Sequence, residues 1–529
     1  MSASLTKKIL LVILVVSAIL RVGWLPRGDT VSDEVFYGFR AVDLLDFDEA
    51  DKQTTPLEWW DPAIPSWTKL SFHDHPPLVF LVQHVSIKLF GENNFALRLP
   101  SALLGIASIY LVFLLGSLLF SSGAGLISAG LLSVTVNHVY ISRIGMQESY
   151  VIFFMLLASY FFIRAVRNHR SFIPAGIAIG FALLTKYNAF ILFPLFGTYL
   201  LLYHRASFRL KSLWISIGVA LLIFSPVIVY NLMLYRTVGH FDFQFSYVFG
   251  QNPAEWRDAP GKEIGSLADR IGDFVPRLIS TNSWVFLVLV LVSLVYLRNN
   301  FVLLAFAYLL LLLSAIGPSF RFLTMLTPFF ALSAGAFLEK KKYMLWLLIP
   351  VLLFEVAYSV NNQIRYYPVG PQPWFASRVR QENANWGYNA LGDYFRKELA
   401  GKFPSATFRM RYAFIEKTQD AFIKKDEQRG YEPYQALIVL HGNFDLSAKL
   451  WVLERLKIYH GWPVIDFSTY QQYRKEQGAD YYDRAGFKSY FVSSTNMVPE
   501  PEFVELVREF TPIPITNPKG DVVFNVYKK

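Results

Sequence analysis

Apolar positions come in long unbroken runs up to about residue 358 and in short alternating groups after it. The runs are roughly 16–22 residues long and fall at 9–25, 98–119, 123–141, 148–163, 171–186, 188–203, 212–231, 283–297, 300–316, 322–338 and 343–358. A run near ~20 apolar residues matches the thickness of a hydrocarbon core, so these eleven segments are expected to be membrane-spanning helices. Pro76–Phe90 is also apolar, but it has only 15 residues, and Gln83, His84 and Lys88 share one helical face. That pattern predicts a helix lying in the interface rather than crossing it.

From 359 to 529 the pattern changes to that of a water-soluble α/β domain. Ala436–His441, Val464–Phe467, Ser489–Ser493 and Val522–Tyr527 read as strands, and Ser447–Lys457, 469–484 and Pro501–Phe510 as helices. Strands alternating with helices predict a layered structure. The expected division is a membrane helical domain at 1–358 and an extracytoplasmic soluble domain at 359–529. Neither part shows a nucleotide-binding glycine fingerprint, an internal repeat or a low-complexity stretch.

Charge sets the orientation. With the N-terminus inside, the even-numbered loops and the N-terminal segment carry twelve Lys/Arg, against three on the short loops opposite. This excess marks the cytoplasm. It explains the net charge of +10 without nucleic acid. Lys7 and Lys8 before the first run could open a cleaved leader, but no small-x-small site follows, so an anchor is expected. The chain has no cysteine, which excludes disulfides and thiolate metal sites.

On this topology 26–97, 142–148, the Lys186 end, 232–282, the Arg321 end and the C-terminal domain all lie outside. Residues 26–75 hold eleven Asp/Glu against four Lys/Arg, facing isolated cations at helix ends on the same side. Asp33 and Glu34 follow the first span directly. A carboxylate there could be a general base for an incoming hydroxyl, and a low local dielectric is expected to raise its pKa. His73-Asp74-His75-Pro76-Pro77-Leu78 offers a His-x-His pair that could ligate a metal with help from Asp74, although the sequence requires no cofactor. Arg143 and Glu148 flank a short outer loop, as a mutual ion pair or as groups at the substrate. Lys186 and Arg321 end spans, where they could snorkel to head groups or hold phosphate oxygens.

At these residues the chain resembles the dolichyl-phosphate-mannose protein mannosyltransferase superfamily, including the bacterial lipid A aminoarabinose transferases. Asp33-Glu34 with Tyr37, His75-Pro76-Pro77-Leu78, Phe90-Gly91, Phe95–Leu103 with Arg98, Ser142–Glu148, Leu184–Tyr187 and Arg321…Pro328 follow the family's order. The resemblance implies a GT-C fold, a polyprenyl-phosphate sugar donor and inversion at the anomeric carbon. It makes Asp33 the catalytic carboxylate and Lys186 and Arg321 contacts of the donor phosphate. Tyr37, His73, His75, Arg98, Arg143 and Glu148 join them as substrate-binding candidates, with Glu34 positioning acceptor or sugar. The family's usual lysine before Pro-Pro is His75 here. The resulting expectation is a glycosyltransferase of the plasma membrane that works on its outer face. Its donor is lipid-linked and its acceptor is a hydroxyl on protein, lipid or glycan. A lipid-linked sugar transporter or flippase is the alternative, and a glycolipid receptor a third.

Overall fold

A computed structural model describes residues 2–48, 54–257, 265–379 and 387–529. The parts of loops 26–97 and 232–282 and of the C-terminal segment that fall between these ranges lie outside the described residues.

Apolar helices occur at all eleven expected positions. Six are long enough to cross a membrane: Ala3–Val22, Asn94–Leu119, Gln147–Arg167, Lys211–Val238, Phe322–Lys340 and Lys342–Gln363. A seventh segment is a broken pair, Ser122–Val134 and Val136–Arg143, bent by 61°. The carbonyl of Val134 at this break accepts from Ser359 Oγ at 2.5 Å. His169–Thr185, Tyr187–Tyr203, Trp284–Val295 and Asn300–Ile316 are shorter. The small residues of the Ser122–Val134 helix give close packing: a Cβ on Gly125 would meet Phe113 O at 2.5 Å, and one on Gly335 would meet Ser128 Oγ at 2.1 Å.

The Leu78–Phe90 helix has 13 residues. Its polar face turns toward protein, contrary to what a helix on a water-facing surface would do. Gln83 is buried and donates to Gly145 O at 2.8 Å, His84 Nδ1 lies 2.8 Å from Ala41 O, and Lys88 reaches Asp43 at 3.8 Å. Leu81, Val85 and Leu89 are exposed. Where the outside is lipid, the exposed face is the apolar one.

Beyond residue 387 the chain forms a five-stranded mixed sheet in the order β4-β3-β5-β7-β6. Its strands are β3 (Ala436–His441), β4 (Val464–Asp466), β5 (Lys488–Ser494), β6 (Ile513–Thr516) and β7 (Val522–Lys528). Strands β3, β4 and β5 are parallel, and β7 runs antiparallel to both β5 and β6. A separate parallel pair joins β1 (Lys402–Pro404) to β2 (Glu432–Tyr434). The helices Tyr388–Glu398 and Ala413–Gln428 were not expected from the apolar pattern, because only three residues of each are buried.

This region does not pack as a separate body. Val35, Phe39, Val42, Ile87 and Leu97 share one apolar core with Tyr388, Trp451, Leu453 and Tyr459. Two carboxylates from the segment 26–97 cap its helices. Asp29 accepts from Tyr388 N (3.2 Å) and Asn389 N (2.7 Å), and Asp61 from Ala413 N (2.7 Å) and Phe414 N (3.0 Å). Each thereby satisfies otherwise orphaned donors at a helix start. Glu92 adds ion pairs to Arg455 and His460, both at 2.9 Å.

Candidate active site

Asp33 opens the helix Asp33–Ala41, following Ser32 at φ 52. Two buried arginines hold the backbone that leads up to it. Arg143 donates to the carbonyls of Leu20, Arg21, Gly23 and Trp24, capping the end of the first span. Arg98 donates to the carbonyls of Leu25, Arg27, Gly28 and Asp29. It also holds Glu34 with two bonds, Nε to Oε1 at 2.7 Å and Nη2 to Oε2 at 2.9 Å. Glu34 Oε1 accepts in addition from Gly145 N at 2.8 Å, tying the 142–148 loop to the helix Asp33–Ala41. Arg98, Glu34 and Arg143 are all buried, with their polar atoms turned to this frame.

Helical spacing puts Asp33 and Tyr37 on one face and Glu34 and Gly38 on the next. Gly38 lets the second face sit close, since a Cβ there would meet Leu97 Cδ2 at 2.9 Å and Trp451 Cζ3 at 3.0 Å. The first face meets a cluster of charged side chains. Arg321 Nη1 lies 2.5 Å from Asp33 Oδ2 and 3.7 Å from Met146 Sδ. Lys186, at the extended break after Thr185, places Nζ 2.6 Å from Glu148 Oε1 and 4.4 Å from the centre of the Phe322 ring. Arg321 stands 5.7 Å from the same ring.

Tyr37 is buried, and its hydroxyl lies 3.2 Å from His75 Nε2. The other nitrogen of His75 is 3.0 Å from Asp74 Oδ1. Arg40 bridges Asp74 and Asp48, each at 2.6 Å. The structure thus brings together Asp33, Tyr37, His75, Glu148, Lys186 and Arg321. It sets Glu34, Arg98 and Arg143 in the frame. Arg40 is the residue that sequence reasoning missed, and its place seven positions after Asp33 on a short helix was the available signal.

The electrostatics reverse one expectation. Burial would raise the Asp33 carboxyl, but Arg321, aided by His75 and Lys186, outweighs it and holds the group below its ordinary range. Asp33 is therefore an anion with a bound counter-ion, not a carboxyl made more basic by low dielectric. His73 lies beside Asp74, at 4.0 Å, with Nδ1 2.8 Å from Asp46 Oδ1. Burial alone would lower its imidazole, but Asp46 and Asp74 raise it to about 9. Asp46, His73 and Asp74 bring their ligand-type atoms within 4.8 Å of one another. The positive charge of that group is supplied by Arg40 and the His73 imidazolium.

The family model described as dolichyl-phosphate-mannose-protein mannosyltransferase matches residues 74–230. In Bacillus subtilis the putative mannosyltransferase YkcB is 26% identical over 210 residues, covering 36% of this chain and 29% of that protein. The putative mannosyltransferase YycA of the same organism is 30% identical over 141 residues, covering 26% of this chain and 21% of that protein. The chain thus covers less than a third of either relative. ArnT from Cupriavidus metallidurans, solved bound to undecaprenyl phosphate, superposes over 99% of this chain and 97% of its own, with a TM-score of 0.51 at 13% identity. The chain shares the fold of that protein and is similar over residues 74–230 to the mannosyltransferase family. The matched segment begins at Asp74, so Glu148 and Lys186 fall inside it, and Asp33 and Arg321 outside.

Proposed function

We propose that the chain is an integral membrane glycosyltransferase that moves a sugar from a polyprenyl-phosphate donor to a hydroxyl acceptor, with inversion, at the outer face of the plasma membrane. The observation that carries this reading is the pairing of Arg321 with Asp33 beside the Lys186–Glu148 pair: two carboxylates and two cations in one largely buried cluster. A phosphate leaving group needs cations and an alcohol nucleophile needs a base. The undecaprenyl phosphate bound by the fold neighbour from Cupriavidus metallidurans supports the donor class. The eleven apolar segments are read as crossings with the basic loops inside, so that the cluster faces out.

The resting pair suggests an order of events. The donor phosphate draws Arg321 and Lys186 away from Asp33 and Glu148. Without its counter-ion, Asp33 becomes a stronger base. It takes the acceptor's hydroxyl proton as that oxygen attacks the anomeric carbon from the side opposite the phosphate. The carbon–phosphate oxygen bond breaks with its electron pair on the phosphate. Glu34 acts through Arg98 and Gly145 as a positioning residue.

The test compares wild type with Asp33→Asn in purified form. Transfer from a mannosyl-phosphoryl-polyprenol should fall by about 10²–10⁴-fold while donor binding persists. Unchanged transfer would overturn the assignment of Asp33.

A further inference from the structure

Resting on that reading, we infer that the acceptor is a glycan, and that a cavity away from Asp33 holds a distal sugar of it. The cavity measures about 400 Å³ and lies between residues 26–27 and 93–94 on one side and the C-terminal region on the other. That volume is in the range of small-ligand sites.

Helical periodicity builds one wall. On Tyr388–Glu398 the side chains of Tyr388, Leu391 and Phe395 are buried, while Asn389, Gly392, Asp393 and Arg396 line the cavity. The latter recur at intervals of three and four and so share a face. Gly392 is the informative position. A glycine inside a helix is destabilising relative to alanine, so it calls for a reason. Packing does not supply one, because a Cβ there would meet Val452 Cγ1 at 3.4 Å, an ordinary contact. Both residues line the cavity, and a larger side chain at 392 would occupy it. A second wall is a π-helical turn, Leu450–Glu454, which presents Trp451 and Val452. Such turns are rare and are frequent at functional sites.

The chemistry of the lining selects the ligand. Among the described residues there, the apolar side chains other than Trp451 and Tyr366 are no larger than valine or proline, which does not suit a lipid chain. Asn93, Asn94, Asn389 and Asn517 bring planar amides, and Arg27, Arg396 and Arg455 bring guanidinium groups. These groups offer paired donors and acceptors, which match neighbouring hydroxyls on a sugar ring. Trp451 and Tyr366 add aromatic surface for its C–H faces. The amides are fixed in advance. Trp451 Nε1 donates to Asn94 Oδ1, Asn94 Nδ2 to Asn389 Oδ1, and Asn389 Nδ2 to Gly28 O, each at 2.8 Å. Groups already ordered cost less to bind with.

The Gly28 carbonyl also ties the cavity to the reaction. It accepts from Arg98, which holds Glu34 next to Asp33. Asp33, Lys186 and Arg321 themselves do not line the cavity, so the sugar bound here is not the one that reacts.

The experiment uses the full-length protein in detergent. Its probes are a panel of defined hexose and N-acetylhexosamine oligosaccharides and a serine-containing hexapeptide, titrated by saturation-transfer NMR. Wild type should bind a saccharide and not the peptide. G392L should weaken that binding by about tenfold or more, with an unfolding midpoint no lower than wild type, because leucine favours the helix. R396A alters an exposed pair with Asp393, keeps the fold, and should weaken binding by about threefold or more. It decides the matter if G392L does not fold. Undecaprenyl phosphate should bind all three proteins equally. With the bound saccharide as acceptor, G392L should raise KM more than it lowers kcat. Absence of saccharide binding, binding of the peptide alone, or wild-type affinity in the folded variants would overturn the site. Loss of transfer in Asp33→Asn alongside any of these would leave the functional reading standing. Transfer retained in Asp33→Asn would strike that reading instead.

Discussion

Arg321 and Asp33 lie 288 positions apart in sequence, and their side chains meet at 2.5 Å, each the other's counter-ion. The contact joins the start of the helix Asp33–Ala41 to the start of the Phe322–Lys340 segment. It sets the basicity of Asp33, so breaking it has a signature that loss of a phosphate contact alone lacks.

In Arg321→Gln the lowering influence on Asp33 is removed, so its carboxyl rises. The acid limb of the transfer rate should move to higher pH. At the pH optimum the rate should fall by about a hundredfold, because a charge-assisted contact to phosphate is lost as well. Arg321→Lys should restore part of the rate and bring the acid limb back down. The measurement is the pH–rate profile of the three proteins.

Glu34 and Arg98 form a fully enclosed ion pair. Removing one partner leaves a buried charge, at a cost of about 3–5 kcal/mol. Arg98→Met and Glu34→Leu should each lower the thermal unfolding midpoint in detergent sharply, and the double variant should recover much of the loss. A double variant as unstable as the sum of the singles would count against the frame role.

The C-terminal region is held to the segment 26–97 by side chains that can be removed one at a time. Asp61→Ala removes a two-bond cap of the Ala413–Gln428 helix and should cost about 1–2 kcal/mol. Limited proteolysis should then cut beyond residue 387 faster, with the membrane helices intact. Glu92 adds a pH dependence. Burial would raise its carboxyl, but His460 and Arg455 bring it down to about 2. Its contribution is present in full above the ordinary glutamate range and is lost as pH falls toward about 2. Glu92→Gln should abolish that part of the acid destabilisation.

Asp242 has the opposite sign. It caps the Phe243–Val248 helix and accepts from Tyr187 Oη at 2.6 Å and Asn231 Nδ2 at 2.9 Å. Burial raises its carboxyl to about 6, although the hydrogen bonds from Phe245, Tyr187 and Asn231 oppose the rise. Its stabilising contribution is complete below the ordinary aspartate range and is lost as pH rises through about 6. Hydrogen exchange of residues 240–250 should accelerate between pH 5 and pH 7 beyond the intrinsic rate in wild type, and Asp242→Asn should remove that excess.

How much of this was legible depends on the reach of each interaction. The apolar helices were readable because length and hydropathy are local properties. The helices Tyr388–Glu398 and Ala413–Gln428 were not, because each buries a narrow stripe against a core it shares with the outer loops. In the site, Asp33, Lys186 and Arg321 stood out as charges at span ends, but so did Arg143 and Arg98, and only the folded chain separates these. Arg143 and Arg98 meet unsatisfied carbonyls at the end of a helix, which cost energy if left bare. Arg321 meets the partly exposed carboxylate of Asp33.

The sequence by itself determined the apolar helices and the order of the candidate groups along the chain. Each of these follows from residues near one another in the chain. The tertiary structure alone decided which charge answers which. It made Glu34 part of a frame, lowered Asp33 where a low dielectric alone would have raised it, and set His75 between an anion and a phenol. The reason is physical: an ionisable group takes its properties from neighbours within a few ångströms, and here those neighbours come from distant parts of the chain.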